Sequence, residues 1–175
     1  MSESACQEAT QFLDQRRIGK VWFANEKEAP PPSAHRVNFS RLCLVLSGLY
    51  EIELCVGGQK KTVTIAPGEV LFTPSLCWDI PTWQAPCKII TFLFSPTQTG
   101  FSIKICQSDN QLIPAAKGSI PGSLKNEGRL IESALNEIAF TNGANPAAAP
   151  KNLLKPTQSY LNLSNFHKTP AKQCC

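Results

Sequence analysis

A mainly β fold, a small barrel or sandwich followed by one or two helices, is what these 175 residues predict. Three observations carry that expectation. Short apolar or alternating segments recur at close spacing between residues 41 and 106, separated by turn residues. The run Ile65-Ala66-Pro67-Gly68-Glu69-Val70-Leu71-Phe72-Thr73-Pro74 brings one such segment into a Pro-Gly corner and another out of it. Proline presets φ at the first corner position, and glycine supplies the positive φ that a type II turn needs next. After residue 124 the apolar spacing changes to a helical period.

The elements follow in order. Residues 4–16 read as a short helix, with Ala5, Ala9, Phe12 and Leu13 on one face. Residues 17–24 read as a first strand. The loop after it contains Pro30-Pro31-Pro32, which cannot join a ladder. The barrel starts near His35. Residues 41–47 are almost wholly apolar, as expected of a strand buried on both faces. Gly48 allows a turn or bulge. Residues 49–56 then alternate: Tyr50, Ile52, Leu54 and Val56 share one face, and Glu51, Glu53 and Cys55 the other. Gly57-Gly58 signals a hairpin, and the returning strand places Val63 and Ile65 inward. Residues 70–72, 76–83, 87–95 and 101–106 supply the remaining strands. Pro114, Gly118, Pro121 and Gly122 mark a loop. Residues 124–140 form a helix whose stripe is Leu130, Ile131, Leu135 and Ile138. An Ala/Pro linker leads to the start of a second helix at Asn152-Leu153-Leu154, and the tail is expected to be poorly ordered. The division is therefore 1–16 extension, 17–110 barrel, 111–155 loop and linker helices, and 156–175 tail.

Composition narrows the function classes. Charged residues make up 17%, a low share, and such a surface favours a partner or a second copy. The formal charge of +4 comes from scattered Lys and Arg and is no nucleic-acid footprint. No stretch is long and apolar enough to span a bilayer, and the N-terminus lacks the pattern of a signal peptide, so we read the chain as cytoplasmic. Isolated cysteines in apolar strands of a reducing compartment behave as small core residues. The vicinal Cys174-Cys175 has no partner ligands beside it and is treated as incidental.

His35 and His167 are the only histidines. There is no His-x-His pair, so no metal or other cofactor is expected. His35 reads as a rim residue. Glu51 and Glu53 share a face, where paired carboxylates support acid–base chemistry but more commonly form the solvated side of a sheet. Trp78 and Trp83 with Asp79 between them suit a ligand pocket, and plain core packing accounts for them equally well. No nucleophile–base arrangement or phosphate loop is present, so no catalytic residue is assigned.

The ordered set Arg41-Leu42-Cys43-Leu44-Val45-Leu46-Ser47-Gly48, a strand, a Gly-Gly turn, Ile65-Ala66-Pro67-Gly68-Glu69-Val70 and Pro74 before an aromatic resembles the N-terminal cupin domain of AraC-type transcription regulators. The helix from Gly128 to Ala139 matches the linker of that family, and the resemblance covers roughly residues 15–155. It implies a cupin-like (double-stranded β-helix) barrel that binds a small-molecule effector, with a homodimer formed through the helix behind it. DNA would be bound through a helix-turn-helix half that this sequence lacks, as in an isolated regulatory domain or a gene product cut short. His35, Tyr50, Ile52, Phe72, Trp78 and Phe92 are the expected ligand-lining residues, and Leu130, Ile131, Leu135 and Ile138 the dimer contacts. A stand-alone cupin enzyme is the competing reading, and a cysteine-based redox sensor a third.

Overall fold

The computed structural model describes residues 20–56, 59–107, 111–119 and 125–141. The expected helix over 4–16, the Gly57-Gly58 turn, the second helix start at Asn152 and the tail with His167 and Cys174-Cys175 lie outside the described residues, as does the side chain of Val56. Among the described residues the elements are β1 (Val21–Phe23), β2 (His35–Arg36), β3 (Ser40–Gly48), β4 (Tyr50–Val56), β5 (Gln59–Ile65), β6 (Val70–Thr73), β7 (Trp78–Pro81), β8 (Cys87–Phe94), β9 (Thr99–Cys106), β10 (Leu112–Ser119) and α1 (Lys125–Thr141). The chain is mainly β, a barrel-like domain followed by a helix.

Two sheets face each other. One has the order β1-β6-β3-β8-β9-β10, the other β2-β7-β4-β5. Their shared interior holds Cys43, Val45, Leu71 and Ile89 from the first and Tyr50, Ile52, Leu54, Val63 and Ile65 from the second. The inward assignment of Tyr50, Ile52 and Leu54 is met, and Glu51 and Glu53 take the opposite, half-exposed face. The other side of the six-stranded sheet is also dry. Leu42, Leu44, Val70, Phe72, Ile90, Phe92 and Ile103 gather there with Ile131, Leu135 and Ala139 of α1. This is why β3 is buried from Ser40 through Leu46: one face looks into the barrel and the other lies under the helix. Each buried Leu, Ile or Phe contributes about 1.5–3 kcal/mol, so docking α1 stabilises a helix that would be marginal in water.

The turns behave as their residues require. Glu69 N–H donates to the Ala66 carbonyl at 3.0 Å, and Gly68 holds φ at 86°, as a type II turn demands. The Glu69 carboxylate also accepts from Ala66 N–H and the Trp22 indole, both at 3.1 Å, which ties the corner to β1. Gly48 has φ of 73°, and a Cβ there would stand 2.0 Å from the Pro86 carbonyl oxygen.

Two expectations need correcting. The segment with Pro114 and Gly118 is a strand, β10, paired antiparallel with β9. It lies at the sheet's edge and its register shifts between Pro114 and Ala116, the setting in which a strand tolerates proline. The stripe of α1 is also rotated from the expected one. Ile131 and Leu135 are buried and Ile138 is half-buried against the sheet, whereas Leu130 is 57% exposed. Ile131 and Leu135 are thus engaged within their own chain, leaving Leu130 on the outer face with Ser133, Ala134 and Glu137.

Candidate functional site

Strand alternation brings a polar group into the dry interior. Arg41 shares its phase on β3 with Cys43 and Val45, so its side chain enters the space between the sheets. Asp79 enters from β7 in the opposite sheet. Arg41 Nη2 donates to Asp79 Oδ2 at 2.6 Å, with the two side chains only 8% and 4% exposed. Nη2 also donates to the His35 carbonyl at 2.9 Å, and the Thr73 hydroxyl donates to Asp79 Oδ2 at 2.9 Å. The pair therefore bolts one sheet to the other. A buried ion pair of this kind is costly to break from one side, because the remaining charge stays dry and unpaired.

Beside it lies a cavity of about 40 Å³, lined by His35, Arg41, Cys43, Tyr50, Leu71, Thr73, Asp79, Trp83, Ile89, Thr91 and Lys104. That volume holds about three ordered waters, or the polar head of a small ligand. Burial holds the Tyr50 phenol well above its ordinary value, so it is a neutral hydrogen-bonding group. Its ring meets Trp83 at 5.3 Å. Partial burial, then the Arg41 charge, pushes the His35 imidazole below 6.5, so it is neutral at pH 7. His35 is solvent-facing and stands at the rim, in register with Asp79. A wider groove of about 390 Å³ runs along the surface beside α1, with Arg129 and Glu132 among its lining residues. The smaller interior cavity carries the concentrated chemistry.

Of the expected ligand-lining residues, His35 and Tyr50 line the cavity. Ile52 belongs to the interior cluster but does not reach the cavity wall. Phe72 and Phe92 lie on the opposite face, under α1, because Leu71 and Thr73 on β6 and Ile89 and Thr91 on β8 take the inward phase. Trp78 is likewise turned away; its indole N–H donates to the Glu28 carbonyl at 3.0 Å. Asp79 and Trp83, weighed earlier between pocket and core, both line the cavity. Arg41, Thr73, Thr91 and Lys104 were missed. Arg41, Thr73 and Thr91 share a signal, a polar residue in the inward phase of a mostly apolar strand; Lys104 lacks it, since β9 also carries Thr99 and Ser102.

No disulfide joins the described cysteines. Burial raises the Cys43 thiol to about 12 and the Cys77 and Cys87 thiols to about 11. Among the described residues no three His, Cys, Asp or Glu side chains cluster as a metal site would require. No described helix is long and apolar enough to cross a membrane.

No family model matches the chain. Over 127 residues it is 28% identical to the uncharacterized HTH-type transcriptional regulator YpdC of Escherichia coli (strain K12), covering 73% of this chain and 43% of that protein. Over 86 residues it is 36% identical to the uncharacterized HTH-type transcriptional regulator YijO of the same organism, covering 49% of this chain and 28% of that protein. The chain spans less than half the length of either relative. Its similarity is thus to part of each of two proteins named as transcriptional regulators.

Proposed function

We propose that this chain is the cytoplasmic effector-sensing and dimerisation part of an AraC-like transcription regulator. It binds a small molecule rather than transforming one, and DNA recognition belongs to a helix-turn-helix half outside these 175 residues. The observation that carries the reading is the 127-residue similarity to a named HTH-type regulator. A small cavity between the two sheets, lined by charged and apolar side chains, and a helix docked behind one of the sheets support it. Filling the cavity would tighten the contact between the sheets, and α1 rests on the other side of the same β3. Dimerisation uses the outer face of α1, which carries Leu130, and the resemblance to the AraC-type linker helix favours that arrangement.

The test is a thermal-shift panel of small molecules, run with sedimentation of the same protein. A bound effector stabilises by about 2.7 kcal/mol at a hundred times its Kd. At least one compound is expected to raise Tm and to be recovered unchanged. Recovery of a chemically altered compound would instead support the cupin-enzyme reading. Sedimentation as a strict monomer at high concentration would reject the dimer.

A further inference from the structure

We propose that the interior cavity recognises the carboxylate of a small organic acid, gripped by the Arg41 guanidinium and Lys104. The inference rests on the sensing reading and adds to it the class of ligand. Its first support is an unanswered donor. Arg41 is 6% exposed, yet its Nη1 is buried with no hydrogen-bond partner among the described residues. A buried, charged donor left unmatched is expensive, and native interiors rarely carry one without a ligand, ion or water to meet it. The other terminal nitrogen is fixed by Asp79 and the His35 carbonyl, so the guanidinium cannot turn away to satisfy Nη1 elsewhere. Asp79 is thus a positioning residue: it takes Nη2 and fixes the guanidinium at the cavity wall, with Nη1 still unmatched.

Charge supplies the second support. The cavity wall carries two cations, Arg41 and Lys104, against the single carboxylate of Asp79. Asp79 already accepts from Arg41 and Thr73. The excess positive charge sits in a water-poor space, where an anion gains more than it would in bulk water. Size and shape then select the anion. A cavity of about 40 Å³ takes a planar carboxylate head, and the Tyr50 and Trp83 rings form part of its wall. Trp83 holds φ at 54°, a left-handed conformation that a bulky residue seldom adopts, and stacks at a tilt on Tyr50. These rings give an apolar or aromatic acid a surface to lie against.

Calorimetric titration of the full chain with acetate, pyruvate and benzoate tests this, against acetamide, benzamide, inorganic phosphate and a pentose. Saturable binding of at least one carboxylate is expected, with its amide counterpart and phosphate at least about tenfold weaker. Lys104 is half-buried and outside the Asp79 pair, so Lys104→Gln should keep the Tm of the free protein and weaken carboxylate binding at least about tenfold. Lys60→Gln, on exposed β5, should leave binding unchanged. Arg41→Lys should weaken binding too, but it disturbs the buried pair and is read only beside the Lys104 variant. Carboxylate binding insensitive to Lys104→Gln overturns the proposal, as does equal binding of amide or phosphate. Binding of the pentose without any carboxylate overturns the ligand class and leaves the sensing role intact. No binding by any carboxylate overturns the ligand class, and the thermal-shift panel decides the sensing role separately.

Discussion

The two faces of β3 are made of similar residues and do different things. On the helix side, Leu42, Leu44 and Leu46 gather with Phe72, Phe92, Ile131 and Leu135. On the barrel side, the alternate residues run Arg41, Cys43, Val45, and the wall turns from apolar to charged as it nears His35. The first face is a seam that holds α1 to the sheet. The second is a seam with a hole in it. Close-packed apolar surfaces gain from every contact and leave no space. A cavity survives where polar side chains brace one another across it, as Arg41, Asp79 and Thr73 do here. One strand thereby carries an apolar seam on one side and a braced polar cavity on the other.

The sharpest way to break that contrast is to remove a brace. Asp79→Ala leaves the Arg41 guanidinium buried without its carboxylate and should cost about 3–5 kcal/mol in urea unfolding. Replacing both partners, Arg41→Met with Asp79→Leu, should recover most of that loss, since a well-packed apolar pair often matches a buried ion pair. A double variant as unstable as the single one would show that the pair does more than balance charge. On the helix side, Leu135→Ala should cost about 2–5 kcal/mol. Leu130→Ala, on the same helix but exposed, should stay within about 0.5 kcal/mol. If the dimer uses the outer face of α1, Leu130→Asp weakens self-association in sedimentation while Tm at low concentration barely moves. Equal stability losses at 130 and 135 would contradict the docking of α1 described above.

The same contrast explains what the sequence disclosed. The turn chemistry at Pro67-Gly68 and the alternation of Tyr50, Ile52 and Leu54 against Glu51 and Glu53 are local, and both are met. The phase of β6 and β8 is not local. Val70-Leu71-Phe72-Thr73 offers one polar residue as a marker, and the ordinary rule sends it outward to water. Here the outward face is dry under α1 and the inward face holds the cavity, so the rule points the wrong way for β6, and Phe72 and Phe92 lie under α1. Arg41 carried the better signal, a lone charge in a strand with two dry faces. Such a charge needs a partner, which sequence spacing could not identify because Asp79 is 38 residues away. For β10, Pro114 and Gly118 read as loop residues. An edge position and a bulge excuse the first. The second lies against the Phe101 ring, where a Cβ would come within 2.8 Å.

A smaller effect concerns three of the described cysteines. Thiolates react and thiols do not, and burial holds Cys43, Cys77 and Cys87 far above neutral pH. In the native protein these three should react with a thiol-disulfide reagent at pH 7.5 far more slowly than in urea. Mass mapping of labelled peptides reads each site. Fast native labelling of Cys43 or Cys87 would revive the redox-sensor reading and show that the barrel seam opens.

The smallest expected effect lies at the mouth of the cavity. His35 loses part of its hydration on β2, and the Arg41 charge opposes its protonation, so its folded value falls below the unfolded 6.5. The Asp79 charge acts the other way and does not prevail. In the interval between the two values the unfolded chain binds more protons than the folded one, so stability rises with pH there. The full contribution is present above 6.5 and is lost as the pH falls through 6.5 towards the folded value. His35 is largely solvent-facing, so the change is modest and screened by salt. An NMR titration of the imidazole should place its midpoint below 6.5, and Asp79→Asn, if it folds, should lower it further by removing the one opposing charge. A midpoint at or above 6.5 in the native protein would mean that Asp79, not Arg41, governs the rim. The cavity entrance would then be cationic near pH 6.5 rather than neutral.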